Sequence, residues 1–277
     1  MDWPEYWIAT SWPGNAQVRG VFTSRHGGNS VGLYGAGGGN IGAHTGGMNL
    51  GSHVGDEPSA VAANRARLGG LSQGLRVAYL DQVHGTDVVD LDTWDRRSVL
   101  RADAAVTTTP DLAACVLVAD CLPVLFAAPH GEAVAAAHAG WRGLAGGVLE
   151  NTLKAVCGKA QCEPSAVQVW LGPAIGPQHF EVGEDVREAF VDRQTASASA
   201  FRMIRPGKWM ADLFLLARLR LQAAGVSISL VQGGGVCTVS ERQGYYTFRH
   251  DGITGRQAGL VWIAAPGANT QMQGRPR

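Results

Sequence analysis

The chain is a succession of short apolar segments separated by polar, glycine-rich or proline-containing breaks. Most of the apolar segments are too short for globular helices. Short apolar runs bounded by turn residues are typical of buried strands. The pattern predicts strands near residues 17–25, 77–91, 103–108, 115–120, 123–128, 132–137, 167–171 and 226–231.

Four other segments place apolar residues at helical spacing. They predict helices over residues 58–69, 140–156, 184–193 and 209–224. The first of these begins at Pro58, directly after Asp56 and Glu57, which is typical of a helix start, and it ends at the pair Gly69 and Gly70.

The order of these elements indicates the fold class. Between residues 77 and 137 one strand follows another with few helical patterns between them, which favours antiparallel or mixed sheets over a doubly wound parallel fold. We predict an α+β fold with one domain, residues 1–277, in which mixed and antiparallel β-sheets are covered by helices in a layered α/β sandwich. Residues 32–47 are rich in glycine and predict a mobile loop, and the polar residues 266–277 predict a frayed tail.

The charge balance narrows the class of partner. Lys+Arg and Asp+Glu each number 23, so the formal net charge is +0 and the sequence pI is about 7.1. Such a chain has no global positive field that would attract nucleic acid. A small molecule bound through local charge is the expected partner, and low net charge favours self-association, so we expect a monomer or a homodimer.

Cysteine content and hydropathy indicate the compartment. The 5 cysteines are an odd number in a long chain, which does not resemble a disulfide framework. The first residues lack the basic segment and apolar core of a signal peptide. The most apolar region, residues 112–129, is interrupted by Asp120 and Pro123, so we expect no membrane span. A reducing cytoplasm is the predicted location.

Candidate chemistry lies at polar positions that directly follow strand-like runs. Cys121 follows the apolar run at 115–120, His138 follows the run at 132–137, and His84 follows the shorter run that ends at Leu80. Two imidazoles and one thiol are suitable zinc ligands, and three protein ligands leave a fourth position for water or substrate. The three residues lie far apart in the sequence. Spacing alone therefore also fits a buried structural cysteine and two ordinary loop histidines.

Several motifs in this chain resemble those of one known family. D-Q-V-H-G-T at 81–86, A-D-C-L-P-V at 119–124 and A-A-H-A-G-W-R-G at 136–143 are similar to signature segments of the laccase-domain or multicopper polyphenol oxidase family, also called the peptidoglycan editing factor family. Further similar segments occur at 22–28, 49–56, 171–176 and 248–263. Together these segments span nearly the whole chain in the same order.

The resemblance implies a function and a set of site residues. Family members are regarded as zinc-dependent purine nucleoside phosphorylases with adenosine deaminase activity. They act on adenosine, inosine, guanosine and methylthioadenosine, with phosphate as the second substrate. The metal ligands of the family correspond here to His84, Cys121 and His138, which would also form the catalytic centre, with Zn²⁺ expected and copper as the alternative. Arg25 lies in a segment that the family places at its substrate pocket. Arg142, which follows His138, and Arg249, in the last motif, are the other candidates for binding phosphate.

Four questions remain open at this point. Asp120 is either a proton shuttle or a residue that stabilises a turn. The chain could instead be a Cys-His hydrolase or amidase acting on peptidoglycan-type substrates, with Cys121 as the nucleophile. It could be a copper polyphenol oxidase, although its 8 histidines are scattered. It could also be a zinc-stabilised module that binds nucleosides without turnover.

Overall fold

The computed structural model describes residues 4–37, 46–71 and 74–265. The helices in these residues are α1 (Pro58–Leu71), α2 (Trp141–Gly146), α3 (Val148–Ala160), α4 (Glu184–Val191), α5 (Leu213–Ala223) and α6 (Phe248–Asp251). The strands are β1 (Ile8–Ala9), β2 (Val18–Phe22), β3 (His26–Gly28), β4 (Gly46–Gly47), β5 (Arg76–Ala78), β6 (Val88–Asp90), β7 (Ala104–Thr107), β8 (Leu112–Val118), β9 (Leu122–Ala127), β10 (Val134–Ala139), β11 (Gln168–Leu171), β12 (Glu181–Gly183), β13 (Phe201–Arg205), β14 (Lys208–Ala211), β15 (Val231–Gly233) and β16 (Gln257–Ile263).

Two large sheets form the centre of the fold. The first has the strand order β1-β2-β16-β8-β5, and the second has the order β15-β11-β9-β10-β7-β6. Most neighbours are antiparallel, while the pairs β5–β8, β6–β7 and β11–β15 are parallel. Smaller sheets are formed by β12-β14-β13 and by β3-β4. The mixed and antiparallel sheets predicted from the sequence are thereby confirmed.

The core lies in three layers because both large sheets are apolar on both faces. Between the sheets, Phe22, Val116 and Val261 of the first sheet belong to the same cluster as Leu125 and Ala136 of the second. The outer face of the second sheet is buried in a cluster with residues of α2, α3, α4 and α5. The outer face of the first sheet is buried in a cluster with α1. The molecule is therefore a layered sandwich of two sheets with helices on both sides.

Some predicted elements have different boundaries. The helix predicted over 140–156 is two helices, α2 and α3, because Gly147 between them has a left-handed φ of 110°. The strand predicted over 77–91 is divided into β5 and β6, which belong to different sheets. The predicted strand at 132–137 begins later and continues through His138 to Ala139.

Two other predictions were wrong in part. Residues 209–211, predicted as helical, belong to β14, which pairs with β12 and β13. Helix α5 begins only after Asp212, whose side chain accepts a hydrogen bond from the backbone N–H of Leu215 at 2.9 Å. Residues 228–230, predicted as a strand, form a short 3₁₀ turn, and strand β15 begins at Val231.

The glycine-rich segment is described only at its two ends. Gly32–Tyr34 form a short 3₁₀ turn, and Gly46–Gly47 are strand β4, which pairs with β3. Residues 38–45 and the predicted tail at 266–277 lie outside the described residues, so the expectations of a mobile loop and a frayed tail stay predictions. Within the described ranges, no helix is both long enough and apolar enough to cross a membrane.

The topology brings three connections to one end of the sandwich. Strands β5 and β8 are parallel neighbours, so both end at the same edge of the first sheet. From there the chain crosses to the second sheet twice, from β5 towards β6 and from β8 to β9. Strand β10 is antiparallel to β9, so its end lies beside the start of β9. The segments that carry His84, Cys121 and His138 therefore meet at this end of the sandwich, where the chain crosses from one sheet to the other.

Candidate metal centre

The pairing of β9 with β10 places Cys121 and His138 close together. Ala139 is the register partner of Leu122, and His138 is the partner of Pro123. Cys121 directly precedes β9, so it lies beside the end of β10. The buried His138 side chain and the partly buried Cys121 thiol therefore reach the same space.

His84 reaches the same place from the crossing between β5 and β6. Its backbone has a left-handed φ of 60°, a conformation that residues with a β-carbon seldom adopt. The side chain is exposed, and its Nε2 atom lies 4.0 Å from the Cys121 sulfur. The rings of His84 and His138 contact each other edge to face, with centroids 4.8 Å apart. The exposed His84 thus completes the site from the solvent side.

These three side chains fit a metal ion. One ligand atom from each of His84, Cys121 and His138 lies within 4.8 Å of the others. In tetrahedral coordination a zinc ion bonded to sulfur at about 2.3 Å and to nitrogen at about 2.0 Å holds its ligand atoms about 3.3–3.6 Å apart, so the widest separation here would have to shrink by roughly 1 Å. The donor set of two imidazoles and one thiolate suits zinc and also copper. We call these three residues the metal centre.

Asp103 joins two parts of the metal centre. Its carboxylate is fully buried and accepts a hydrogen bond from Nδ1 of His138 at 2.8 Å. It also accepts from the backbone N–H groups of His84 at 2.9 Å and of Gly85 at 2.6 Å. Burial disfavours the charged carboxylate, but these donors lower the pKa of Asp103 below its usual value. An ionised Asp103 therefore lies directly behind both histidines.

Charge within the centre favours a thiolate. Burial disfavours ionisation of Cys121, but the imidazoles of His138 and His84 outweigh this effect and lower the pKa of the thiol to about 6. Burial likewise disfavours a charged His138, but Cys121 and Asp103 raise the pKa of this imidazole above its usual value. A thiolate is the form of cysteine that binds metals and the form that acts as a nucleophile.

We therefore expect the Cys121 thiol of metal-free protein to ionise with a midpoint of about 6, well below its ordinary value of 9.0. Above the midpoint the sulfur is a thiolate, so metal affinity should fall as the pH is lowered through it. The measurement is the ultraviolet absorbance of the thiolate against pH, with Cys121→Ser as the background. Cys157 does not interfere, because burial raises the pKa of its thiol to about 11. A midpoint near 9 would contradict this expectation.

Gly140 allows the ligands to approach one another. A β-carbon at this position would lie 2.9 Å from Cδ2 of His84 and 3.1 Å from the sulfur of Cys121. Both distances are shorter than ordinary contacts, which are about 3.5–4.0 Å between carbon atoms. Gly140 is also the residue before α2, so the turn from β10 into that helix passes directly against the metal centre.

The three arginines predicted to bind phosphate each contact protein groups. Arg25 donates two hydrogen bonds to the carbonyl of Gly35, at 3.0 and 2.8 Å, and one to the carbonyl of Arg242 at 2.8 Å. Arg249 donates to the backbone carbonyls of His179 and Glu181 at 3.3 and 3.2 Å. Arg142 is exposed, with its guanidinium carbon 4.4 Å from the centroid of the neighbouring Trp141 ring. The predicted roles of these arginines stay predictions.

Asp120 has partners for both carboxylate oxygens. It accepts from the hydroxyl of Thr238 at 2.6 Å and from the backbone N–H of Arg249 at 2.6 Å. Its own backbone is left-handed, with a φ of 85°. This arrangement favours the explanation that Asp120 stabilises the turn before Cys121. It also joins that turn to helix α6.

Helix α6 contributes to a cavity of about 920 Å³. Arg25, His26, Arg242, His250 and Asp251 are among its lining residues. Nε2 of His250 accepts from Arg242 at 2.8 Å, and Nδ1 of the same ring donates to Asp251 at 2.7 Å. The volume is within the usual range for small-molecule sites. Arg25 thus lines a cavity, and its guanidinium also holds two loops together.

Sequence reasoning assigned no role to two charged residues near the centre. Asp103 shows only as a polar residue at the start of an apolar run. Arg256 is a half-buried arginine that donates to the carbonyls of Thr254 and Gly255 at 3.1 and 3.0 Å. Burial lowers the pKa of Arg256, while the charges of Cys121 and Asp120 act in the opposite direction. Arg256 therefore lies within electrostatic range of the metal centre.

Sequence comparison agrees with this geometry. A model of the family described as multi-copper polyphenol oxidoreductase laccase matches residues 19–264. The chain belongs to this family. The match extends from β2 to just beyond β16, so it includes every residue of the metal centre, and it confirms the resemblance noted in the motifs.

Members of the family with curated names are similar over nearly their full length. A purine nucleoside phosphorylase of Pseudomonas aeruginosa is 45% identical over 258 residues, which is 93% of this chain and 98% of that protein. One from Escherichia coli is 42% identical over 260 residues, 92% of this chain and 98% of that protein. The family assignment therefore does not depend on a shared fragment.

Two crystal structures show the same fold. A protein of Neisseria meningitidis has a TM-score of 0.84 and 45% identity, and the match covers 94% of this chain and 100% of that one. A protein of Geobacillus stearothermophilus has a TM-score of 0.82 and 30% identity, with 93% of this chain and 96% of that one covered. The layered sandwich is thus the fold of known family members.

Proposed function

We propose that this protein is a zinc-dependent purine nucleoside phosphorylase that also deaminates adenosine. The observation that carries the proposal is the convergence of His84, Cys121 and His138 at one point, in a chain whose named relatives are purine nucleoside phosphorylases. Adenosine, inosine, guanosine and methylthioadenosine are the proposed nucleosides, and phosphate is the second substrate.

The reaction requires a site that stabilises negative charge and holds phosphate near the sugar. Phosphorolysis breaks the bond between the purine nitrogen and the anomeric carbon, forms a bond from that carbon to a phosphate oxygen, and transfers a proton to the departing base. A bound divalent ion would supply a Lewis acid that stabilises negative charge. Phosphate must also be held near the sugar by preorganised positive charge. Arg256, a half-buried arginine whose charge interacts with that of Cys121, is one candidate for this role. Arg25, Arg142 and Arg249 remain the other candidates.

The cavity beside α6 supports a nucleoside-sized substrate. It contains planar rings, since Tyr6 and His26 stack with centroids 5.3 Å apart, and it contains the polar series Arg242, His250 and Asp251. Asp251 and Arg242 fix the orientation of the His250 ring, and the imidazole could exchange a proton with a heterocyclic base once the base displaces Arg242 from Nε2. Asp120 connects this helix to the turn that carries Cys121.

The test is one assay on protein of known metal content. Adenosine and inosine are each incubated with and without phosphate, and the products are separated. Phosphate-dependent release of free base with formation of ribose 1-phosphate is the expected result, and inosine and ammonia from adenosine would reveal the deaminase. If fully zinc-loaded protein forms neither product, the proposal is wrong.

A second candidate is favoured by one specific contact. Cys121, His138 and Asp103 form a series in which a thiol contacts an imidazole whose other nitrogen donates to a buried carboxylate. This is the arrangement of a Cys-His-Asp hydrolase, with Cys121 as the nucleophile, which fits an amidase acting on peptidoglycan-type substrates. The position of His84 beside the same sulfur favours the metal, because a hydrolase of this kind needs only one histidine. Stoichiometric zinc bound through Cys121 would exclude this second candidate.

Copper oxidation has less support from the arrangement of ligands. A multicopper oxidase needs several clusters of histidines to hold its ions. Across residues 4–37, 46–71 and 74–265, the only potential metal-binding group with three or more His, Cys, Asp or Glu ligands is the centre itself. Copper thus stays an alternative ion for this centre.

A further inference from the structure

Asp103 is a fully buried carboxylate that accepts hydrogen bonds from the metal centre and from the loop that carries His84. One oxygen accepts from Nδ1 of His138 at 2.8 Å and from the backbone N–H of His84 at 2.9 Å. The other accepts from the N–H groups of Gly85 at 2.6 Å and Val83 at 3.2 Å. A buried charge is tolerated only with such a complete set of donors.

The contacts act on the two histidines in different ways. Because Nδ1 of His138 donates to Asp103, its Nε2 atom is left to face Cys121 and His84. For His84 the contact is through the backbone. Three consecutive N–H groups, from Val83 to Gly85, point at one carboxylate, and this requires the chain to turn sharply at the middle residue. His84 is the residue with the left-handed φ of 60°.

The backbone of Asp103 also connects the segments that carry His138 and His84. Its carbonyl oxygen accepts from the N–H of His138 at 2.7 Å, and its own N–H donates to the carbonyl of Asp87 at 3.2 Å. Asp103 therefore contacts the strand that carries His138 through both side chain and backbone. It holds the crossing segment that carries His84 at two points.

We infer that Asp103 is the positioning residue of the metal centre: it orients the His138 ring and holds His84 in a left-handed turn, so that both histidines are in place before a metal binds. The inference rests on the metal centre of the proposed function. Asp103 does not contact the ion or the substrate; it acts through the two ligands. Such groups behind metal ligands typically change metal affinity by about 10- to 100-fold when they are removed.

The experiment is a titration of chelator-treated protein with Co²⁺, whose absorption spectrum reports the number and geometry of its ligands. We expect Asp103→Asn to bind Co²⁺ about 10- to 100-fold more weakly than the wild type, with an altered spectrum. An asparagine amide nitrogen cannot accept hydrogen bonds, so either the pair His138 Nδ1 and His84 N–H or the pair Gly85 N–H and Val83 N–H loses its acceptor. Asp103→Glu keeps the charge and should regain part of the affinity.

Asp92→Asn is the matched control. Asp92 also accepts several hydrogen bonds at the opposite end of β7, from Thr107, Thr108 and Thr109, and it pairs with Lys159 at 2.6 Å. Its loss should lower stability and leave Co²⁺ affinity and the spectrum unchanged. A role of Asp103 that was only structural would make the two variants behave alike.

A measurement on the wild type makes the test independent of how the variants fold. In the zinc-loaded protein, the Nδ1 proton of His138 should give a downfield proton NMR signal that is protected from exchange. Absence of that signal, or an Asp103→Asn protein that binds Co²⁺ as tightly as the wild type with the same spectrum, would overturn the inference. A wild type that binds Co²⁺ as described but forms no free base would contradict the proposed function alone.

Discussion

Replacing Cys121 by alanine is expected to abolish stoichiometric zinc binding and to lower the rate of phosphorolysis by at least about 100-fold, because loss of a ligand should cost no less than loss of a group behind a ligand. The fold should remain. Cys121 lies in the turn between β8 and β9 and is not part of a core cluster, and the turn is held separately by the contacts of Asp120. Metal content, initial rates and thermal unfolding are measured on the same preparation.

The matched control is Cys162→Ala. Cys162 is another partly buried free thiol, just after α3. Its replacement should change neither the metal content nor the rate of phosphorolysis. If Cys121→Ala unfolds the protein, the centre is a structural site and the reading as a nucleoside-binding module gains support. If Cys121→Ala retains zinc and full activity, the centre has been wrongly assigned.

The same variant does not separate the phosphorylase from the amidase, because both readings need the sulfur. His84→Ala does separate them. An amidase with Cys121 as nucleophile, His138 as base and Asp103 as the orienting carboxylate should keep most of its activity, since His84 is exposed and outside that series, and the change removes only the part of the lowered thiol pKa that His84 contributes. A metal-dependent enzyme should not. The activity that remains in His84→Ala therefore distinguishes the two classes of enzyme.

The sequence identified residues that could bind a metal, but it could not show that they lie close together in space. His84, Cys121 and His138 each follow a strand-like run, which is a local pattern. Their convergence depends on β5 pairing parallel with β8 and on β10 pairing antiparallel with β9. These pairings join distant segments, and no local signal specifies them, so the motifs of the family were needed to select these three residues.

The hydrogen-bond partners of charged side chains could not be predicted from the sequence for the same reason. Asp103 follows Ala102 and precedes another apolar run, and nothing in that neighbourhood indicates which donors its carboxylate meets. Likewise, sequence showed the charge of Arg25 and Arg249 but not the backbone carbonyls that occupy their guanidinium groups. Charge can be read from a sequence, whereas the partners of a charge are set by tertiary contacts.

The error at residues 209–211 has a different origin. Apolar residues lie on both sides of Asp212, and periodicity alone extended the helix backwards across it. Pairing with β12 and β13 overrides that tendency. Asp212 was the available signal, because an aspartate directly before a helical run is a preferred N-cap, and its side chain does cap α5.

Gly140→Ala should weaken zinc binding by about 10- to 100-fold without unfolding the protein, as expected when ligands are displaced rather than removed. The backbone of Gly140 has φ −63° and ψ 157°, which any residue can adopt, so alanine causes no backbone strain. The new methyl group would instead lie 2.9 Å from His84 and 3.1 Å from the Cys121 sulfur. The exposed His84 ring is free to move away, and it then no longer reaches the ion.

Gly158→Ala provides the comparison. Gly158 lies within α3 near its end, and a β-carbon there would meet nothing within 4 Å. Alanine should therefore leave zinc affinity unchanged and stabilise the protein by up to about 1 kcal/mol, the usual preference of a helix interior for alanine over glycine. Zinc affinity by competition with a chelator and thermal unfolding are measured for both variants. If Gly140→Ala and Gly158→Ala bind zinc equally tightly, the close contact of Gly140 with His84 and Cys121 does not shape the centre. If Gly140→Ala fails to fold, this glycine is needed for the turn into α2 instead.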